Sequence, residues 1–297
     1  MPSSSEQQSV HRTRGRTQIL LFAVLALFAF AGNSLLCRAA LKYTSIDPAT
    51  FTSVRIAAGA IVLLVIFRMR GGKVAATGSW VSALALFIYA IAFSFAYVSL
   101  AAGTGALLLF GAVQATMIGY GLWSGERLHA VQIAGLVSAL CGLAGLLLPG
   151  ISAPPLSGSL LMLAAGVAWG IYSLRGKRAG DPIGVTAGNF MRAVPFAMAL
   201  SLAAMRWIRI DYAGVAYAVA SGAITSALGY AIWYTALPSL RATSAAAIQL
   251  SVPVMTAAAG VLFLGEALTL RLLIASAVIL GGIALVVLNS GKQRTGV

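Results

Sequence analysis

The stretch GLWSGERLHAVQIAGLVSALCGLAGLLL at residues 121–148 decides the fold, because it recurs as VLFLGEALTLRLLIASAVILGGIALVVL at residues 261–288. The two copies match at a fixed offset of 140 residues without gaps, and the identities extend upstream of both stretches. In the first copy the repeated residues are Ala106, Thr116, Leu122, Gly125, Glu126, Leu128, Leu140, Gly142, Ala144 and Leu148. A repeat of this length indicates that one ancestral unit was duplicated.

The composition places the chain in a lipid bilayer. Of its 297 residues only 9% are charged and 60% are hydrophobic, with a mean hydropathy of +0.95, whereas about a quarter of a soluble domain is charged. The excess of 20 Lys and Arg over 6 acidic residues lies in short patches between apolar runs, so we expect no nucleic-acid partner. Cys37 and Cys141 lie within apolar runs and lack metal-ligand spacing, which predicts no metal site.

Ten stretches are long and apolar enough to span a membrane, which takes about 20 residues. They are Ile19–Ala40, Pro48–Phe67, Trp80–Leu100, Thr104–Trp123, Ala130–Leu148, Gly158–Leu174, Ile183–Met205, Ala213–Ala236, Ser244–Leu264 and Leu270–Leu288. We therefore predict an all-α integral membrane protein. Its predicted parts are a disordered cytoplasmic N-terminus (1–17), a five-helix repeat (18–150), a linker (151–157), a second five-helix repeat (158–290) and a cytoplasmic tail (291–297).

The basic residues predict the orientation, because Lys and Arg accumulate in cytoplasmic loops. Thirteen lie on the side of the two chain ends: Arg12, Arg14, Arg16, Arg68, Arg70, Lys73, Arg127, Arg175, Lys177, Arg178, Arg241, Lys292 and Arg294. Five lie on the other side: Arg38, Lys42, Arg206, Arg209 and Arg271. Both termini are therefore predicted to be cytoplasmic. Because five helices per copy is an odd number, the second copy enters the membrane from the opposite side, as an inverted repeat.

The N-terminus also imitates a cleavable signal peptide, with an Arg-rich start, an apolar run from Ile19 and the triplet Ala29, Phe30, Ala31. We expect the first helix to be retained instead. Phe30, Ser34 and Leu35 match Trp169, Ser173 and Leu174 at an offset of 139 residues, so cleavage would leave the first repeat one helix short.

Ten helices, two halves and a Gly-Glu pair at the end of the fourth helix of each half resemble the EamA-type members of the drug/metabolite transporter superfamily. The pairs are Gly125-Glu126 and Gly265-Glu266, and the resemblance covers about residues 19 to 290. Within that family the chain resembles the YddG-like bacterial exporters. This resemblance implies transport of aromatic and other neutral amino acids across the inner membrane.

Several polar residues have a structural and a functional interpretation. For the two Gly-Glu pairs we favour helix ends, with the carboxylate complementing the N-terminus of the next helix, over gating or coupling. Asp47-Pro48 and Asp181-Pro182 are typical helix starts. Arg55 and Arg192 lie within spans, each about 10 to 15 Å from its helix start. We favour a side chain that reaches the interface or backbone carbonyls, and anion binding remains the alternative.

Aromatic residues indicate where a substrate binds. Tyr89, Phe93 and Tyr97 recur every four residues on the third helix. The equivalent places on the eighth helix hold Ser226, Tyr230 and Tyr234, with Trp233 beside them. Mid-helix rings and polar groups also recur on the first and sixth helices, at Phe30, Asn33, Trp169 and Tyr172. Rings mixed with single polar groups suit a semi-polar organic molecule, although helix packing produces the same stripe.

A proline suggests a further part of the site in the ninth helix. Pro253 cannot donate to the carbonyl of Gln249, so an acceptor is freed beside Gln249 and Ser251 near mid-span. Because discontinuous helices often hold substrates, we include both polar residues in the predicted site. Pro195 has the same effect on the carbonyl of Met191 in the seventh helix.

The chain carries no Walker-type glycine loop, no His-Glu-x-x-His motif and no acidic residue at mid-span. We therefore expect that the protein is not an enzyme and has no cofactor. We expect a monomeric carrier that works by alternating access down a gradient. The predicted partners are the lipid bilayer and a small neutral or aromatic amino acid-like molecule. The alternatives are a carrier of anionic metabolites such as sugar phosphates or nucleotide conjugates, and a channel-like or lipid-translocating protein.

Overall fold

The computed structural model describes residues 16–71, 78–125, 127–150, 153–176, 181–236, 240 and 248–289. Within these ranges it is all-helical: α1 (Arg16–Tyr43), α2 (Pro48–Met69), α3 (Trp80–Tyr97), α4 (Ala102–Trp123), α5 (Ala130–Leu147), α6 (Leu156–Gly176), α7 (Pro182–Ala203), α8 (Tyr212–Ala236), α9 (Ser251–Leu264) and α10 (Leu270–Asn289). All but α9, which has 14 residues, are long and apolar enough to span a membrane. Residues 1–15 of the predicted N-terminus, residues 151–152 of the predicted linker and the whole predicted tail lie outside the described residues, as does Glu126.

The predicted spans agree with these helices to within a few residues, except for the ninth. Helix α9 begins at Ser251, after helical residues 248–249 and a turn at Leu250, whereas the predicted start at Ser244 lies outside the described residues. Pro253 therefore lies in the first turn of α9, and a proline in a first turn leaves no hydrogen bond of its helix unmade. The helical hydrogen bonding is interrupted beside Gln249, by the turn at Leu250 that precedes α9. Pro195 lies inside α7, as predicted.

Both Asp-Pro pairs cap helices as predicted. The Asp47 carboxylate accepts hydrogen bonds from the backbone N–H groups of Ala49 and Thr50 at the start of α2, and Asp181 accepts one from Ile183 at the start of α7. Asp47 also accepts from the backbone N–H of Arg209, before α8. Partial burial alone would raise the pKa of Asp47, but its hydrogen bonds outweigh burial and hold that pKa below its ordinary value.

The packing of the helices follows the duplication. Helices α2 and α7, α4 and α9, and α5 and α10 pack against each other as equivalent partners. Contacts between α3 and α6 correspond to those between α8 and α1, and contacts between α4 and α6 to those between α9 and α1. Exchanging each helix with the one five places later therefore preserves these helix pairs, which is the pattern that two halves related by a pseudo-two-fold axis would give.

Helices α5 and α10 pack against each other at the periphery, through three of the five glycines that the sequence offers. Gly135, Gly142 and Gly282 face the partner helix so closely that an added Cβ at any of them would overlap it. The sequence predicts that Gly145 and Gly281 also mediate the peripheral packing of the fifth and tenth helices. An added Cβ at either would meet nothing within 4 Å, so that prediction is wrong for these two glycines.

Candidate functional site

A small cavity of about 20 Å³ lies between the two repeats at the middle of the helices. Its lining comes from α1, α3, α4, α6 and α8: Phe30, Asn33, Ser34, Tyr89, Phe93, Leu109, Phe110, Trp169 and Tyr230. A volume of this size admits a single water, whereas sites for small organic molecules enclose hundreds of Å³. Binding of a larger molecule therefore requires these rings to move apart.

The rings form a continuous series in which Trp169 occupies the centre. Its ring centroid lies 4.9 Å from that of Tyr89, 4.9 Å from that of Tyr230 and 5.4 Å from that of Tyr172, on which it stacks. Phe30 continues the series beside Tyr230, at 6.0 Å. These are contact distances for aromatic pairs, so the sequence-predicted rings of the first, third, sixth and eighth helices do meet.

Asn33 provides the polar centre of the site. Its amide Nδ2 donates to the hydroxyl of Tyr89 at 3.0 Å, and its Oδ1 accepts from Ser221 at 2.8 Å and from Thr225 at 3.3 Å. Both partners of Oδ1 lie in Ser221–Leu228, where α8 has π-helical hydrogen bonding. Such π-segments occur frequently at functional sites, because the extra residue redirects side chains.

Arg55 lies against the same rings and is only 2% exposed. Its Nη2 donates to the hydroxyl of Tyr89 at 3.1 Å and its Nε to the hydroxyl of Ser226 at 3.3 Å. The guanidinium carbon lies 5.2 Å from the centroid of Tyr89 and 5.0 Å from that of Phe93, within cation–π range. The interpretation favoured from the sequence was a side chain that reaches the interface or backbone carbonyls. Arg55 instead turns inward, to side-chain hydroxyls and rings.

Arg192 does not accompany Arg55. It is half-buried, donates to the carbonyl of Gly188 in its own helix at 3.1 Å and lies 6.0 Å from the ring of Trp80. It does not line the cavity. The backbone-carbonyl interpretation therefore fits Arg192, and the two arginines do not form a pair at one site.

Three further predicted residues surround the cavity without lining it. Trp233 packs edge-on against Phe30 at 5.7 Å, and the Tyr172 hydroxyl accepts from Asn189 at 3.4 Å. Tyr97 is fully buried, and its hydroxyl donates to the carbonyl of Ala102 at the start of α4. These side chains support the ring cluster.

Gln249 and Ser251 lie apart from the cavity at the beginning of α9. The Ser251 hydroxyl donates to the carbonyl of Ile248 at 2.7 Å, which is a local bond at a helix start. Gln249 is half-buried, and neither side chain lines the cavity. Their place in a substrate site remains a prediction.

An ion pair joins the halves on the face opposite to the ends of the described chain. Arg38 of α1 donates from Nε to Oε1 of Glu266 at 3.0 Å and from Nη1 to the carbonyl of Tyr97 at 2.9 Å. Oε2 of Glu266 accepts from the backbone N–H of Ala102 at 2.7 Å. The sequence suggested that this carboxylate complements the N-terminus of the following helix, α10. It complements the N-terminus of α4 instead. Gly265 has the left-handed φ of 59° that this turn requires.

Hydrogen bonds also join the halves on the face that carries the chain ends. Arg175 of α6 donates from Nε to the hydroxyl of Ser82 at 3.0 Å and from Nη2 to that of Ser79 at 3.3 Å. The backbone N–H of Ser79 donates to the Asn189 side chain of α7 at 2.8 Å. Polar contacts between the halves therefore lie on both sides of the central cavity.

Sequence reasoning missed part of the lining. Ser34, Leu109 and Phe110 face the cavity, and Ser221 and Thr225 orient Asn33. Ser34 lies one residue after Asn33, and its place in the duplicated motif was a usable signal. Leu109 and Phe110 lie in an apolar run of α4 that carries no such signal, and neither the sequence's period nor its composition indicates the π-helical segment.

Comparison with known proteins identifies the fold. A sequence profile of the EamA-like transporter family matches residues 156–288. An uncharacterized protein of Pseudomonas aeruginosa is 57% identical over 268 residues, which cover 90% of this chain and 93% of that protein. The protein belongs to the EamA-like transporter family. It is a multi-pass membrane protein of a family whose members are transporters of small metabolites.

More distant similarities agree with this family. The uncharacterized transporter YvbV of Bacillus subtilis is 23% identical over 293 residues, covering 94% of each chain. The threonine/homoserine exporter RhtA of Escherichia coli is 34% identical over 168 residues, or 53% of this chain and 55% of RhtA. A crystal structure with 20% identity superposes with a TM-score of 0.66 over 95% of this chain and all of its own, and therefore has the same fold.

Proposed function

We propose that this EamA-family protein exports neutral amino acids, including those with aromatic side chains, across the bacterial inner membrane. The observation that carries the proposal is the ring cluster around Trp169, which surrounds one polar centre between the two repeats. Rings offer stacking and apolar burial to a side chain, while hydroxyl and amide groups offer hydrogen bonds to its backbone. The similarity to a threonine/homoserine exporter supports amino acids as the substrate class.

The mechanism that we propose is alternating access of a monomer down the substrate gradient. The cavity is bounded by both repeats, and polar contacts between them lie on both sides. Opening one set of contacts while the other holds would expose the cavity to one face at a time. The duplication places both halves of this pathway in one chain, so a second copy is not needed.

Replacement of Trp169 by alanine tests the proposal, since this ring contacts three others. Each aromatic contact contributes about 1 kcal/mol, which corresponds to roughly a five-fold change in an equilibrium constant. We expect Trp169→Ala to lower transport of phenylalanine at least about five-fold more than transport of alanine, because only the larger side chain loses a partner.

The assay measures uptake into proteoliposomes, with no ion gradient, per folded molecule. Trp123→Ala is the matched control, because Trp123 is 85% exposed at the end of α4 and should affect neither substrate. An equal loss for phenylalanine and alanine in the Trp169 variant would mean that the rings only pack helices. Failure of the wild-type protein to transport either amino acid would reject the proposed function.

Arg55 favours a second candidate, a carrier of anionic metabolites such as sugar phosphates or nucleotide conjugates. A buried guanidinium binds phosphate as well as carboxylate. The single arginine beside the cavity suits one anionic group rather than several. Adding glucose 6-phosphate and a nucleotide sugar to the same uptake panel decides between the candidates, because only the second predicts their transport.

A further inference from the structure

Arg55 is a buried cation for which the described part of the chain offers no counter-ion. It is 2% exposed, and no carboxylate of the described chain lies within ion-pair distance of it. Asp47 begins the same helix about 12 Å away, at 1.5 Å per residue, and Glu266 pairs with Arg38. A buried charge is costly unless it is paired, and ionisable side chains inside membrane proteins therefore usually bind or conduct something.

The protein holds the guanidinium in a fixed orientation while leaving one end of it unused. The guanidinium lies over the rings of Tyr89 and Phe93, and its Nε and Nη2 donate to the hydroxyls of Ser226 and Tyr89. Nη1 is buried and has no hydrogen-bond partner among the described residues. Its two N–H groups are donors only, and no described residue supplies an acceptor for them, which leaves this place to a bound water or to an acceptor group of a ligand.

Tyr89 extends this donor set to the cavity that it lines. Its hydroxyl oxygen accepts from Asn33 at 3.0 Å and from Arg55 at 3.1 Å, which occupies both lone pairs. The O–H itself can therefore only donate. A carboxylate accepts several charge-assisted hydrogen bonds at once, which matches a guanidinium beside a hydroxyl donor.

We propose that Arg55 and Tyr89 form a carboxylate-binding subsite, so that the transported molecules must carry a carboxylate. The inference rests on the proposed function, because it takes the ring-lined cavity as the transport site. A carboxylate at Arg55 places an amino acid's side chain toward Trp169 and Tyr230, and leaves its ammonium group near ring faces that attract cations. Binding then supplies a counter-ion that none of the described residues provides.

Three ligands with the same ring test the inference: phenylalanine, phenylalanine amide, which lacks the carboxylate, and 3-phenylpropionate, which lacks the amine. Their affinities are measured by calorimetry on the purified full chain. We expect phenylalanine to bind about 10- to 100-fold more tightly than its amide, the effect of a charge-assisted hydrogen bond, and 3-phenylpropionate to retain part of this advantage. In Arg55→Gln the advantage of phenylalanine over its amide should disappear, because the charge-assisted bond to the carboxylate is lost.

Two variants keep the test interpretable. Arg192→Gln is the matched control, because it removes an arginine that lies within a span but away from the cavity, and it should preserve the wild-type preference. Arg55→Lys retains the charge without the planar fork and should give an intermediate preference, so it reports on the subsite if Arg55→Gln folds poorly. Affinities are expressed per folded molecule.

The outcomes separate the inference from the proposed function. If the wild-type protein binds phenylalanine and its amide equally, or if Arg55→Gln and Arg55→Lys both retain the preference, the carboxylate subsite is rejected and the amino acid exporter stands. If the wild-type protein binds none of the three ligands, the proposed function is rejected and the subsite with it.

Discussion

The close contact between α5 and α10 gives the sharpest prediction about stability. A Cβ added at Gly135 would lie 2.6 Å from the carbonyl oxygen of Gly282 and 2.9 Å from the Cβ of Leu285. Ordinary contact begins at about 3.4 Å, so Gly135→Ala must separate the helices by about 0.8 Å. A gap of 0.5 to 1 Å forfeits a quarter to a half of the dispersion energy of the atoms involved. We expect a loss of about 1 to 3 kcal/mol in stability.

The control is Gly145→Ala in the same helix, where an added Cβ meets nothing within 4 Å. This variant should unfold like the wild type. Thermal unfolding of both variants in detergent is the assay, followed by transport per folded molecule, which should stay unchanged because both glycines lie far from the central rings. Equal stability of the two variants would refute the close approach of α5 and α10.

Three further predictions concern the ends of the helices. Arg38→Gln and Glu266→Gln should each destabilise the protein. A double-mutant cycle should give a coupling of about 1 to 3 kcal/mol in the free energy of unfolding for this mostly buried pair. Additive losses would mean that the ion pair contributes nothing. Asp47→Ala should cost about 0.5 to 2 kcal/mol near neutral pH through the lost cap. Because the pKa of Asp47 is lowered, its contribution is complete above about pH 4 and is lost as the pH falls through the lowered value, so the difference from wild type should shrink in acid; a difference independent of pH would contradict this. Accessibility tags placed before Arg12 and after Lys292 should both report the cytoplasm, and a periplasmic report from either one would overturn the predicted topology.

Most of the architecture was readable from local patterns. Runs of about 20 apolar residues mark helices because a backbone in lipid must satisfy its own hydrogen bonds. The 140-residue repeat, with five helices in each copy, indicated two related halves, and the predicted packing of the fifth helix on the tenth agrees with the contacts of α5 with α10. Asp47 and Asp181 marked helix starts because capping depends on residues only two or three positions away.

The site was predictable where it follows helical periodicity and not where it depends on contacts between distant helices. Tyr89, Trp169 and Tyr230 lie on equivalent faces of repeated helices, so their meeting followed from the duplication. Whether Arg55 reaches the interface or turns inward depends on the rings and hydroxyls that other helices bring to it. Arg192, the other arginine within a predicted span, donates to a backbone carbonyl of its own helix instead.

Glu266 illustrates the same division. Its position after Gly265 predicted a helix end with a carboxylate near a helix N-terminus, because both features are local. The carboxylate meets Arg38 and the start of α4, which lie more than 160 residues away along the chain. Periodicity, capping and hydropathy act over a few residues and can be read from the sequence. An ion pair across the two repeats forms only when the helices pack, because burial then leaves each charged group few partners to choose from.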